Sequence, residues 1–388
     1  MALNFELTEE QQLLRETVRD FAEKEILPVA QELDDKEEFS VELTQRMGEL
    51  GLFGPFVAEE YGGSDLGYIS YIIAVEEIAR IDGSQAATLA AGNSLGIGPI
   101  YYFGTEEQKQ KWLPDLCAGR GLAAFGLTEP NAGSDAGSSK TTAVLDNGQW
   151  VLNGSKIFIT NASNPISTVC TIQAVTGKRP DGSNEISCFL VPVGTPGFET
   201  KTMHHKMMWR ASNTAELYFT DCRIPAENLL GKQGDGFKQM LQTLDGGRLS
   251  IAAMGLGGAQ GAFELALKYA KERKQFGKAI GQFQVNAFKL ADMALEIELA
   301  RNLLYKACWL RENHRPFGKE AAMAKLYCSE MYHRVANQAV QLYGGYGLMK
   351  DYPVERHYRN QKLLDIGEGT SEVQRIVIAR LIGAPSGT

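Results

Sequence analysis

The chain changes its hydrophobic period twice, and this switch limits the folds open to it. From Thr8 to about Glu38, apolar residues such as Leu14, Val18 and Phe21 recur at helical spacing between faces rich in Glu, Arg and Lys. Helical spacing continues through Glu42–Leu50, Tyr68–Ala79 and Glu106–Leu116, interrupted by Gly51–Gly63 and Gly92–Pro99, whose Gly and Pro content predicts loops. Near Gly121 the period shortens. Ala143–Leu145, Asp146-Asn147-Gly148 and Trp150–Leu152 predict a hairpin, and Lys156–Thr160, Thr168–Val175, Ile186–Val193 and Ala215–Thr220 predict further strands. After Gly231–Gly236 the long period returns in Arg248–Lys271, Phe283–Glu312, Lys319–Leu342 and Ser371–Ile382. Thr8 with Gln11, and Ser371 with Gln374, fit capping boxes that start helices. The result is an α+β plan: a helical domain over 1–120, a β domain over 121–232 and a helical bundle over 233–388.

A chain of 388 residues with 44% hydrophobic and 22% charged residues can bury large cores. Its net charge of −8 argues against a nucleic-acid-binding surface. The six cysteines (117, 170, 188, 222, 308 and 328) form no CxxC pair, so neither a disulfide framework nor a zinc site is expected. His204-His205 lacks a nearby carboxylate or cysteine to complete a metal site. No apolar run is long enough to span a bilayer, and the acidic Met1–Gln12 carries no signal or transit peptide, so a cytoplasmic, bacterial protein is expected.

Several strings carry chemistry. Glu368 lies between Gly367 and Gly369, just before the last helix, where a loop carboxylate could act as a general base or be merely solvated. Phe125-Gly126-Leu127-Thr128-Glu129-Pro130-Asn131-Ala132-Gly133-Ser134-Asp135 offers backbone N–H groups to a phosphate or a flavin edge. Further strings are Phe158-Ile159-Thr160, Arg273-Lys274-Gln275-Phe276-Gly277, Gln284, Gln341-Leu342-Tyr343-Gly344-Gly345-Tyr346-Gly347 and Leu244-Asp245-Gly246-Gly247-Arg248. By contrast, Gly255-Leu256-Gly257-Gly258-Ala259-Gln260-Gly261 lacks the last glycine of a dinucleotide fingerprint and lies inside a helical pattern, which points to close helix packing.

In order and spacing, these strings resemble the acyl-CoA dehydrogenase family over essentially the whole chain, most of all its short-chain, butyryl-type subgroup. The resemblance implies an N-terminal all-α domain, a small middle β-barrel or sandwich and a C-terminal four-helix bundle. It also implies FAD-dependent α,β-dehydrogenation of an acyl-CoA thioester, with Glu368 removing the α-proton while hydride passes from the β-carbon to flavin N5. By the same resemblance Phe125, Leu127, Thr128, Gly133, Ser134, Phe158, Ile159, Thr160, Thr370 and Glu372 contact FAD. Arg273, Gln275, Phe276, Gln284, Gln341, Gly344 and Gly345 are implied to do so across a subunit interface, in a homotetramer. Ser134, Asp245, Arg248, Gly367 and Gly369 are implied to bind substrate, and an electron-transferring flavoprotein to accept the electrons. Some relatives carry the base just before the arginine of the Leu-Asp-x-Gly-Arg turn; Gly247 stands there and cannot serve. Gly367 replaces the family's usual tyrosine, which suggests a pocket open to branched or alicyclic acyl groups such as cyclohexanecarboxyl. Met207-Met208-Trp209 departs from the usual Leu-Gly-Ile type run, and Ala86 stands where glutaryl-specific relatives carry an arginine. A flavin oxidase and a flavin-free scaffold are the alternative readings.

Overall fold

The computed structural model describes residues 6–385, so the first five residues of the acidic opening segment lie outside it. The N-terminal helices are α1 (Glu9–Phe21), α2 (Ala30–Lys36), α3 (Val41–Glu49), α4 (Gly67–Ala79), α5 (Gly83–Ala91), α6 (Gly98–Phe103) and α7 (Glu106–Cys117). The capping box at Thr8 forms: its hydroxyl accepts the Gln11 N–H at 3.2 Å, and Gln11 accepts the Thr8 N–H at 3.1 Å. Gly92–Pro99 is not the predicted loop. It is π-helical over Gly92–Ile97 and continues into α6, because its glycines serve packing. A Cβ on Gly92 would lie 2.7 Å from Phe53 Cε1, and one on Gly96 2.7 Å from the Ala123 carbonyl oxygen.

The middle of the chain forms β1 (Leu122–Gly126), β2 (Thr142–Asp146), β3 (Gln149–Thr160), β4 (Ser167–Lys178), β5 (Asn184–Pro192), β6 (Phe198–Thr202), β7 (Thr214–Pro225) and β8 (Leu229–Leu230). Asn147 and Gly148 take φ of 50° and 78°, the left-handed pair that a two-residue hairpin turn needs. The sheet runs β6-β7-β3-β2-β4-β5-β8, with β1 pairing parallel to β4 on the edge opposite β5, beside the end of β2. β2 and β4 meet only at Thr142 and Val175, so the sheet folds there into two halves around one core. Trp150 and Phe189 pack across that core with ring centroids 4.9 Å apart.

The C-terminal helices are α8 (Gly236–Glu272), α9 (Gln284–Glu312), α10 (Gly318–Tyr343), α11 (Val354–Asn360) and α12 (Ser371–Leu381). α8 begins at Gly236 rather than Arg248, so Leu244–Arg248 is helix interior and not a turn. Glycine misleads here because α8 is crossed closely by its neighbours. Cβ atoms on Gly257 and Gly261 would sit 2.0 Å and 1.9 Å from the carbonyl oxygens of Glu76 and Arg80, and one on Gly255 2.8 Å from that of Cys328. The dinucleotide-like string is therefore a packing seam.

The three parts are tied at Asp34. This fully buried α2 carboxylate accepts Arg359 Nη2 of α11 at 2.7 Å, while Arg210, ahead of β7, donates to the Asp34 carbonyl at 3.0 Å. The unusual Met207–Trp209 run belongs to this junction: the Trp209 N–H donates to Asn360 Oδ1 at 3.0 Å, and the Met207 carbonyl accepts Arg359 Nη1 at 3.1 Å. Among the described residues no helix is long and apolar enough to cross a membrane.

Candidate active site

The segment between the 3-10 turn Gln361–Asp365 and α12 carries Glu368. The hydroxyl that caps α12 is Thr370, accepting the Val373 N–H at 3.2 Å, so the cap falls one residue before the predicted Ser371. Ser371 is instead buried in the first turn, with its hydroxyl unpartnered. Glu368 and Gly369 take φ of 52° and 92°, a pair of left-handed residues that turns the Glu368 side chain inward. For a glutamate this costs about 1–2 kcal/mol, strain of the kind that collects at functional sites. Gln374, fully buried on α12, holds the bend by donating to the Gly369 carbonyl at 3.0 Å.

The carboxylate lies on Gly247 of α8, where an added Cβ would stand 1.8 Å from Glu368 Oε2. Gly247 is thus the seat of the carboxylate. Glu368 is partly exposed as a residue, but Oε2 itself is buried and has no hydrogen-bond partner among the described residues. Burial pushes the carboxyl up to about 7, against the opposing pull of the Lys325 and Arg248 charges. The Glu368 N–H makes no backbone hydrogen bond among the described residues, which leaves it free to donate. Next to Gly247 on α8, Arg248 is buried and ion-paired with Asp245 one turn earlier, its Nε without a partner among the described residues. Burial also raises Asp245, and Arg248 and Arg311 oppose it.

Gly367 has ordinary backbone geometry, and the nearest atom to an added Cβ would be the Leu363 carbonyl oxygen at 3.5 Å. The position has room for a side chain and carries none. Sequence reasoning missed two groups here. Arg311 stacks on the Tyr68 ring at 3.8 Å, immediately behind Gly246. Lys325, fully buried on α10, donates to the Gly369 carbonyl at 2.8 Å. A long cation within a helical pattern reads as a solvated face, so nothing in the sequence set these two apart.

The β domain brings two of the flavin strings together. The Ile157 N–H donates to the Thr128 carbonyl at 2.9 Å, and the fully buried Lys156 Nζ donates to the Leu127 carbonyl at 3.1 Å and to Glu129 Oε1 at 2.7 Å. Burial works to raise Glu129, but Lys156, the Ser139 hydroxyl and the Lys140 N–H overcome it and bring the carboxyl down to about 2. A slip of register between Lys156 and Ile159 in the β3–β7 pairing forms a bulge. It holds Phe158 at φ 62° with its ring 63% exposed, while Ile159 points into the core. Phe125 is buried in β1, Gly133 and Ser134 lie exposed on the loop after β1 with open space around Gly133, and Thr160 closes β3.

The remaining strings meet elsewhere, in a cleft of about 460 Å³ lined by Tyr269, Arg273, Gln275, Gly344, Gly345 and Tyr346. Arg273 caps the end of α8 and lies 5.5 Å from the Tyr346 ring, with no carboxylate partner among the described residues. Phe276, 93% exposed at φ 51°, forms with Gly277 the tip of the hairpin Lys274–Ala279. Gln341 is exposed at the end of α10 and Gln284 opens α9; Glu372 lies exposed beside the Thr370 cap.

These features fit FAD. An unpaired guanidinium over a tyrosine beside two open glycines suits a pyrophosphate, and an exposed ring on a bulge suits the face of an isoalloxazine.

Family models describing the N-terminal, middle and C-terminal domains of acyl-CoA dehydrogenases match residues 8–120, 124–222 and 234–383. The chain is 56% identical to a probable acyl-CoA dehydrogenase, YngJ, of Bacillus subtilis, over 97% of this chain and 99% of that one. It is 48% identical to the short-chain specific acyl-CoA dehydrogenase of Clostridium acetobutylicum, again over 97% and 99%. The solved butyryl-CoA dehydrogenase of Megasphaera elsdenii superimposes with a TM-score of 0.94 at 45% identity, covering 98% of this chain and all of the other.

Proposed function

The chain belongs to the acyl-CoA dehydrogenase family of FAD flavoproteins, oxidoreductases acting on CH–CH donors, and on that premise we propose that Glu368 is its α-proton base. The observation that carries this reading is the Glu368 carboxylate itself, turned onto Gly247 with a buried oxygen that has no partner among the described residues; its burial pushes the pKa up to about 7. A base matched to neutral pH takes a proton more effectively than an ordinary carboxylate. FAD, when bound, supplies the acceptor for the β-hydride. The Glu368 N–H donates to the thioester oxygen and stabilises the enolate as the α-proton leaves; such a donor contributes about 3 kcal/mol. Asp245 and Arg248, on either side of Gly246-Gly247 in α8, hold the pantetheine side of the thioester. Thr128, Ser134, Phe158 and Thr160 seat the flavin ring, and Arg273 with Gly344 and Gly345 takes the pyrophosphate of a second subunit in a homotetramer.

We propose further that the acyl group is short and branched or alicyclic, because Gly367 carries no side chain at a position whose surroundings would accept a Cβ. The reduced flavin passes its electrons to an electron-transferring flavoprotein. Glu368→Gln tests the base: it should keep FAD and bind CoA esters, yet lose at least about a hundredfold in flavin reduction. Rapid bleaching of the flavin in that variant overturns the assignment. Comparing kcat/KM for butyryl-, isobutyryl- and cyclohexanecarboxyl-CoA tests the pocket, and a strong butyryl preference refutes it. Anaerobic reduction followed by air separates a dehydrogenase, which reoxidises slowly, from an oxidase.

A further inference from the structure

We propose that Lys325 is a positioning residue for Glu368, holding both the bend that presents the carboxylate and the charge state in which it works. The inference rests on Glu368 being the base.

Lys325 has no exposed surface, although a lysine on a helix ordinarily extends its ammonium to water. Among the described residues its one hydrogen bond goes to the Gly369 carbonyl at 2.8 Å, which leaves two of its three protons without a partner there. That carbonyl belongs to the second residue of the left-handed pair, so the ammonium grips the pivot on which Glu368 turns. Gln374 grips the same oxygen from α12, and α10 and α12 thus clamp the bend from two sides.

Charge points the same way. The groups that interact with Glu368 are Tyr71 from α4, Arg248 from α8 and Lys325 from α10; beyond them, Asp365 of the preceding 3-10 turn and Glu372 of α12 face Lys325, Lys362 and Arg375 face Glu372, and Asp245 faces Arg248. Of these, Lys325 and Arg248 are the cations that favour ionised Glu368. Arg248 is already paired with Asp245, Lys362 with Asp365 and Arg375 with Glu330. Lys325 makes no ion pair among the described residues. Burial brings its ammonium down to about 8, against the raising pull of Glu368 and Asp365, which still leaves it charged at neutral pH. It is therefore the free cation facing the base.

Removing that charge should make Glu368 harder to ionise, so the rising limb of kcat/KM against pH should move to higher pH. The test measures this limb by anaerobic flavin reduction in Lys325→Met and Lys325→Gln holoenzymes. Lys325→Gln can still donate to Gly369, and it carries the test alone if Lys325→Met does not fold. Both variants should shift the midpoint upward by about one to three units. The limiting rate at high pH should persist in Lys325→Gln and fall in Lys325→Met. Midpoints within about half a unit of the wild type overturn the proposal, since loss of a nearby opposite charge that governs a carboxylate shifts it by about one unit or more. Glu368→Gln keeps the two ideas apart. If that variant is reduced at the normal rate, the base assignment itself fails; if it is inert while the Lys325 midpoints stay put, only the role of Lys325 falls.

Discussion

Replacing Gly247 with alanine should separate stability from catalysis. The new methyl would lie 1.8 Å from Glu368 Oε2 and 2.8 Å from its Cδ, whereas ordinary contact needs at least 3.4 Å. The carboxylate must then retreat by about 1.5 Å, and a misplacement of about 1 Å can cost a factor of about a hundred in rate. That factor corresponds to about 2.7 kcal/mol of lost transition-state stabilisation. Helix α8 should gain from the same change, since alanine is favoured over glycine in a helix interior by up to about 1 kcal/mol. The expected protein is yellow, melts no lower than the wild type and reduces its flavin about a hundredfold more slowly. Anaerobic stopped-flow reduction and a thermal melt on one preparation measure both quantities. Wild-type reduction rates would refute the seating of Glu368 on Gly247 as the productive geometry. A rate loss that merely tracks a lower melting temperature would refute the separation.

Gly367→Tyr should fold normally, because the backbone there is ordinary and the nearest atom to an added Cβ is 3.5 Å away. It should move the kcat/KM ratio from cyclohexanecarboxyl- towards butyryl-CoA by about tenfold or more. Lys156→Met leaves Glu129 buried without its counter-charge and should cost about 3–5 kcal/mol, measured by urea unfolding, with FAD released from the adjoining loop. Burial, with Arg356 and Arg80 nearby, brings the His357 imidazole down from 6.5 to about 3, and Tyr332 bonds its Nδ1 at 2.9 Å. The unfolded chain takes up that proton first, so stability is full above pH 6.5 and is lost as the pH falls from 6.5 towards 3. His357→Gln should flatten that part of the melting-temperature profile, and an unchanged slope would count against it.

The broad plan was legible because period and turn chemistry agree. Asn147-Gly148 between two alternating runs marks a hairpin, and the long apolar periods after Gly236 could hardly be strands. Glycine was misread where it fills a spatial rather than a conformational need. Gly92, Gly96 and the Gly246-Gly247 pair stand within helices because a neighbour presses on them, and no local pattern reports a neighbour distant in sequence. β1 was missed for a related reason: fully buried and parallel, it lacks the alternation that reveals a strand with one wet face. At the site, Glu368 was visible from its motif, whereas the bulge that exposes Phe158 and the burial of Lys325 and Arg311 exist only once distant elements pack.

The tie at Asp34 bears on how such chains can be recombined. One buried carboxylate on an N-terminal helix meets an arginine from the bundle, and its own backbone carbonyl meets one from the β domain. Cutting between the segments would strand that charge in a dry interior, an error that costs several kcal/mol. Chimeras that exchange the C-terminal bundle for a relative's should therefore succeed only when the donor brings a counterpart of Arg359, however well the helices match. Along this chain the unit of inheritance is wider than the unit of architecture.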